Sequence, residues 1–458
     1  MLKSEVKSKL PLIGVIGLAL FAIVFSAFIH SPFTFFDEQT HYARAIEVAN
    51  GKLLQYKIDD DESKYGGVID KASKLAIDDY ASYVTENPIR FNWLDTSKYG
   101  RVNSGETEEN IHTNTAPYTP LPYFQYAPAV VISKLFNTTV STRILLMRIT
   151  GGIICLAIMV LAYFVFPYRK KAFLAFLLLP SVLNIFSSIS ADGFTIAVSI
   201  LFIAFVTRLI VNEKKISKID FGALSILSVF VTLAKMPAFL LVSLILVLII
   251  NKWKLYSTKA KIALSGLIAG NAAITLLWAK YSSAINTGAY WGKDVSTSSQ
   301  LSFVLHNPLS FGRALVNTLL RFDYHNIVYQ SYGNGWQFFS FPTVISLVVL
   351  IGVFLSLYDE VASIKQKKFT IACYPVIFCG IILSIFVLLY LQFNNIGYTG
   401  TFEGVQSRYF LPYLPLLLLI PMKFSSKPSK LLKTLGSVLP ILGCVFFLFY
   451  LFVQIFFV

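Results

Sequence analysis

From Pro11 to Ile29 the chain is almost uninterruptedly apolar, and it then turns abruptly polar in SPFTFFDEQTHYARAIEVANG, residues 31–51. The same alternation of long apolar runs and short polar breaks recurs to the C-terminus. About 18 consecutive apolar residues cross a bilayer as a helix, because hydrocarbon offers backbone amides no partner outside the segment itself. The pattern predicts an all-α polytopic membrane protein, one integral domain over residues 1–458. About eleven transmembrane helices are expected, near 11–29, 143–166, 172–189, 193–211, 219–235, 237–250, 262–281, 338–358, 371–391, 409–422 and 434–456. The first run has no small-residue cleavage pattern and reads as a retained anchor.

Two polar stretches are long, 30–142 and 282–337, and both are expected on the outer side. Within the first, YTPLPYFQYAPAVVISKLF (118–136) resembles a span but is interrupted by Pro120, Pro122 and Pro128, so it reads as an interfacial or re-entrant helix. The stretch DDDESKYGGVIDKASKLAIDD (59–79) alternates carboxylates with lysines and lacks the spacing of a calcium loop, so it reads as a mobile surface excursion.

Charge then fixes the expected orientation. The chain is 55% hydrophobic and 14% charged, with net charge +15 and mean hydropathy +0.66. More than half of its 39 basic residues fall in clusters at 3–9, 169–171, 208–218, 252–261, 365–368 and 423–433. Short loops rich in Lys and Arg stay on the cytoplasmic side. The N-terminus is therefore expected in the cytoplasm and the C-terminus outside, in a bacterial cytoplasmic membrane. Nucleic acid is excluded as a partner, since the basic residues are dispersed among apolar runs instead of gathered on one soluble face. Cys155, Cys373, Cys379 and Cys444 lie in or against apolar segments without CxxC spacing, which suits packing better than a disulfide or zinc.

The expected outer loops are chemically mixed where the inner ones are basic. They carry Asp37, Glu38, His41 and Arg44 in DEQTHYAR, Asp192 in SSISADGF, Lys235 before Met236-Pro237, Arg321, Asp323 and His325 in RFDYHN, and Glu403 and Arg408 in FEGVQSRYF. Acids and cations converging from several helix ends on one membrane face suit a catalytic cavity. If 37–47 is helical, Glu38, His41 and Arg44 share a face, as do Asp37 and His41. Asp37 and Glu38 diverge by about 100°, so one carboxylate faces the cavity while the other pairs nearby. Asp192 also suits a helix cap, Lys235 a snorkelling side chain, and Arg148, inside a span, a structural pairing with an outer acid. The order DExxH is not the HExxH of zinc peptidases, so no metal ligand is assigned, and a divalent ion stays an open alternative. Trp291 and Trp336 are candidates for stacking on sugars as well as for interfacial anchoring.

Five segments carry a resemblance in order along the chain: SPFTFFDEQTHYARAIEVANGKL, SADGFTIAVSILFIAF, LAKMPAFLLVSLIL, GNGWQFFSFP and GVQSRYFLPYLPLLLL. They resemble the multi-pass bacterial family catalogued as domain of unknown function 2142. That family is similar in plan to the GT-C glycosyltransferases, which place an acidic motif in a large first outer loop with juxtamembrane helices and use polyprenyl-phosphate sugars. The resemblance implies that Asp37, or else Glu38, activates an acceptor hydroxyl and that Arg408 meets the donor phosphate. His41, Asp192 and Lys235 match positions of unassigned role. The function expected is transfer of a sugar from a polyprenyl-phosphate donor to a cell-envelope glycan or lipid-linked acceptor. The alternatives are a polymerase or ligase of undecaprenyl-linked glycans and a transporter or flippase of lipid-linked sugars.

Overall fold

The computed structural model describes residues 2–457 apart from 59–60, 62, 87–97, 286, 323–331, 335–336, 340–342, 360–365 and 421–428. Asp323, His325 and Trp336 lie outside the described residues. The chain begins with α1 (Leu2–Ile29) and α2 (Glu38–Ala49), then strands β1 (Tyr56–Lys57) and β2 (Tyr65–Asp70), α3 (Lys71–Glu86) and β3 (Thr107–Ile111). It continues through α4 (Ala127–Leu135), α5 (Val140–Val165), α6 (Lys170–Leu177), α7 (Pro180–Phe186), α8 (Ala191–Val211), α9 (Lys218–Ala234), α10 (Ser243–Asn251) and α11 (Thr258–Ser282). After α12 (Thr287–Tyr290), α13 (Thr297–His306) and α14 (Pro308–Arg321) come strands β4 (Tyr332–Asn334) and β5 (Gln337–Phe339). The last helices are α15 (Thr343–Asp359), α16 (Lys368–Phe393), α17 (Pro415–Leu418) and α18 (Lys430–Phe457).

Among the described residues, six segments are long and apolar enough to cross a membrane: Leu12–Ile29, Val140–Val165, Ala191–Val211, Thr258–Tyr290, Lys368–Phe393 and Lys430–Val453. The molecule is a mostly helical membrane protein. Three expected spans are broken, 237–250 among them, which is a 3-10 turn (Met236–Val242) followed by α10. The run 172–189 becomes α6 and α7, interrupted before Pro180, whose ring is suited to the first turn of a new helix. The run 409–422 is a 3-10 turn, Ser407–Tyr409, followed by the short α17, because Pro412 and Pro415 remove two amide donors in close succession. Serine and threonine start several long helices: Thr139 accepts from the Thr142 amide, Ser217 from Asp220 and Ser257 from Ala260.

The helix α8 is enclosed, with 89% of its apolar window buried, and packs against α5, α9 and α10. It has no polar face, as befits a helix surrounded by others. Glycine lets its neighbours approach: a Cβ on Gly152 of α5 would lie 2.7 Å from the Phe186 carbonyl oxygen. A second apolar core lies beyond one end of the bundle, built from Tyr42, Ile46, Ile69, Ala76, Tyr126, Val130 and Ile144 among others. It joins α2, α3 and α4 to the start of α5.

Strands correct the purely helical expectation. The first and third flank the second in an antiparallel sheet, with Gly66 opposite Ile111 and Asp70 opposite Thr107. Part of the stretch read as a mobile excursion is therefore β2 and the start of α3, packed on α2. Gly67 permits this approach, since a Cβ there would lie 2.4 Å from Glu47 Oε1. The excursion is also tied down by Asp70, which pairs with the buried Arg143 of α5.

Contacts group the helix ends. Arg169 donates to the carbonyls of Leu357 and Ile420, Tyr168 to Leu419 and Lys367 to Asn251, which collects several basic loops at one end. At the opposite end the chain brings together residues 30–44, 112–126, 188–192, 235–237 and 403–409.

Candidate functional site

Asp37 caps α2 from the left-handed region, at φ 58°, a conformation that aspartate tolerates better than most residues. Its carbonyl accepts the amides of Thr40 and His41, and the turn separates the two adjacent carboxylates. Glu38 points inward and is fully buried. Arg148 grips it with two hydrogen bonds, Nε to Oε1 at 2.8 Å and Nη2 to Oε2 at 2.5 Å, and the Ile189 amide donates to Oε1 at 3.2 Å. The same guanidinium donates to the carbonyls of Ala27, His30 and Ser31, so it ties the end of α1 to α2 and α5. Arg148 is the structural partner of an outer acid that its place in a span suggested. Glu38 is that acid, and it does not line the cavity.

Asp37 faces the other way. Its Oδ2 lies 2.6 Å from Arg408 Nη2, Arg408 Nε lies 3.1 Å from Asp192 Oδ2, and Asp192 Oδ1 accepts from Lys235 Nζ at 2.8 Å. Carboxylate and cation thus alternate through four groups contributed by four distant parts of the chain. The middle pair is sealed, with Arg408 and Asp192 side chains 5% and 6% exposed, while the outer members, Asp37 at 38% and Lys235 at 16%, reach open space. Asp192 sits in the first turn of α8, where a carboxylate also meets the positive helix end. Lys235 lies at the end of α9, in extended conformation, with its ammonium 3.8 Å from the Tyr409 ring centre and 5.4 Å from that of Tyr118.

These end groups open on a cavity of about 680 Å³. Asp37, His41, Asn114 and Lys235 line one side; Ile385, Leu388, Leu389 and Phe393 of α16 line another; Tyr118, Trp278, Trp291 and Tyr409 contribute rings; Lys293, Glu403 and Gln406 complete the polar lining. The wall formed by 114–119 is held in place by Trp278 Nε1, which donates to the Pro117 carbonyl at 2.8 Å, and by a bond from Thr119 to the Leu233 carbonyl.

His41 lines this space while its Nδ1 lies 2.8 Å from the Tyr123 hydroxyl. Burial pushes its pKa down to about 4, against the opposing pull of Asp37 and Asp192, so the ring is neutral at neutral pH. Burial likewise pushes the Tyr118 phenol up and keeps it protonated. Arg44 is elsewhere. It is buried beside the second apolar core, 3.0 Å from Glu47, and donates to the carbonyls of Lys52 and Leu53.

Of the residues singled out by sequence, Asp37, His41, Lys235, Trp291 and Glu403 line the cavity, and Asp192 and Arg408 stand directly behind it. Glu38 and Arg44 hold structure. Among the described residues no group of three or more His, Cys, Asp or Glu side chains gathers as a metal site. Lys293 was missed, because an isolated lysine in a long loop carries no local signal.

A family model described as "Predicted membrane protein (DUF2142)" matches residues 20–417. No curated protein and no solved structure matches the chain.

Proposed function

The chain belongs to the DUF2142 family of predicted membrane proteins, and from that premise we propose that it is a glycosyltransferase working at the outer face of the bacterial cytoplasmic membrane. The donor is a sugar on a polyprenyl phosphate, and the acceptor a cell-envelope glycan or a lipid-linked one. In this reading the chain crosses the membrane eleven times, the broken helices counting as passes, with the N-terminus inside and the C-terminus outside. The grouping of basic loops at the end opposite the cavity supports that path.

The observation that carries the proposal is the exposed Asp37 carboxylate beside cations in a cavity with one apolar wall. Arg408 engages Oδ2, and no described residue hydrogen-bonds Oδ1, which leaves that oxygen for an acceptor hydroxyl. In the proposed step Oδ1 takes the hydroxyl proton as the acceptor oxygen bonds to the anomeric carbon. The bond from that carbon to the phosphate oxygen breaks, and its electron pair leaves with the phosphate. One base suffices because phosphate is already a good leaving group, unlike the alkoxide that hydrolases must protonate. Lys235, on the cavity wall, stabilises the charge that grows on the departing phosphate. The crowding of ionisable groups at one end disfavours a transporter, whose charges sit near the bilayer midplane.

The test compares envelope sugar composition in cells with the wild-type protein, without it, and with Asp37→Asn. A sugar that disappears without the protein, and returns with wild type but not with Asp37→Asn, supports the proposal. Identical composition in all three contradicts it.

A further inference from the structure

The chain of charges at the back of the cavity leaves out two ionisable groups on its wall, Lys293 and Glu403, which pair with each other. Hydrogen bonds hold their backbones, while the side-chain ends are held only by each other among the described residues. Lys293 follows Gly292, at φ 72°, in the turn after α12, and its amide donates to the Gly288 carbonyl at 3.1 Å. Next to it the Asp294 amide donates to Asn395 Oδ1, and the Asp294 carbonyl accepts from Ile396. Glu403 donates its amide to Asn394 Oδ1 and precedes Gly404, at φ 78°. Two anchored turns therefore present a lysine and a glutamate to each other over the end of α16.

The carboxylate end is wet. Glu403 is 53% exposed and Lys293 24%, and an ion pair open to water on one side adds little stability, so an incoming anion displaces the glutamate at little cost. Lys235 differs: Asp192 and the Tyr409 ring hold it. The apolar residues Leu388, Leu389 and Phe393 line the same cavity, which suits an anion attached to hydrocarbon better than a fully hydrated one.

We infer that Lys293 receives the phosphate group of a polyprenyl-linked substrate, and that Glu403 occupies the lysine until the substrate arrives. The inference rests on the donor reading above and names its phosphate contact. A latch that only stabilised the fold would make removal of either partner act in the same direction. An exchangeable placeholder makes them act oppositely.

The experiment measures binding of a polyprenyl monophosphate, and separately of inorganic phosphate, to the full-length protein in nanodiscs. Polyprenyl phosphate should bind about tenfold or more weakly to Lys293→Ala, near normally to Lys293→Arg, and several-fold more tightly to Glu403→Gln. Inorganic phosphate should bind far more weakly throughout. Equal effects of Lys293→Ala and Glu403→Gln, or none from either, overturn this inference while wild-type binding leaves the donor reading standing. Preference for inorganic phosphate overturns the lipid-linked source. Absence of wild-type binding to both overturns the inference and the donor reading together.

Discussion

Arg408 holds Asp37 across 371 positions of sequence, Nη2 to Oδ2 at 2.6 Å. The pairing joins the segment after α1 to the segment after α16 and fixes the direction of the exposed carboxylate. It also takes up the guanidinium: with Asp37 on one side and Asp192 on the other, Arg408 is buried behind the cavity. In the proposed reaction its contribution passes through Asp37.

A positioning arginine has a kinetic signature. Arg408→Ala should lower kcat by about 10²-fold, since a misdirected base loses most of its catalytic value, with donor KM changed little. Arg408→Lys should fall between, because an ammonium lacks the planar fork that reaches both carboxylates. Steady-state transfer kinetics decide the matter. A raised donor KM with kcat unchanged would put Arg408 on the donor phosphate instead, as the GT-C resemblance implies.

The two neighbouring acids should behave as different kinds of residue. Asp37→Asn should keep normal thermal stability and lose about 10²-fold or more of transfer. Glu38→Ala strands the buried Arg148 and should cost about 3–5 kcal/mol, read as a lowered unfolding midpoint or loss of folded protein in detergent. Equal stability losses at both positions would contradict the division of roles.

His41 predicts a pH dependence of stability. Its folded pKa of about 4 lies below the usual 6.5, so its contribution is complete above about pH 6.5 and is lost as pH falls through 4. The difference amounts to about 3 kcal/mol. Thermal unfolding followed between pH 7 and 4 should show a falling midpoint, and His41→Gln should flatten that fall. A His41→Gln profile parallel to wild type would contradict the neutral, buried ring.

Topology is testable by labelling. With the native cysteines replaced, single cysteines at Ser104 and Ser298 should react with an impermeant thiol reagent in intact cells, and those at Ser217 and Ser257 should not. All four positions are exposed in the fold. Labelling at Ser217 or Ser257 would contradict the eleven-pass path.

Legibility in the sequence followed the range of the forces involved. Long apolar runs announce themselves, so α1, α5, α8, α11, α16 and α18 were apparent. The expected parting of Asp37 and Glu38 is found, although the left-handed turn at Asp37 produces it instead of a helical step, and a lone arginine in a span pointed to an acid, now Glu38. The sheet was illegible because YGGVID is short and its β3 partner lies some forty residues on, so pairing has no local period. Arg44 misled for a similar reason: a side chain on the expected helix face found Glu47 and two loop carbonyls beside the second apolar core. Prolines broke three apolar segments that hydropathy alone makes continuous: Pro180, Pro237, and the pair Pro412 and Pro415.

The central claim is that Asp37 activates an acceptor for sugar transfer from a polyprenyl phosphate. The most direct measurement supplies purified wild type and Asp37→Asn, in nanodiscs, with a panel of synthetic polyprenyl-phosphate sugars and isolated envelope glycan, and follows glycosylated product by mass spectrometry. The account predicts that wild type transfers at least one of the sugars and that Asp37→Asn, equally folded, transfers it about 10²-fold more slowly. Transfer at the wild-type rate by Asp37→Asn, or none by wild type from any donor in the panel, would contradict it.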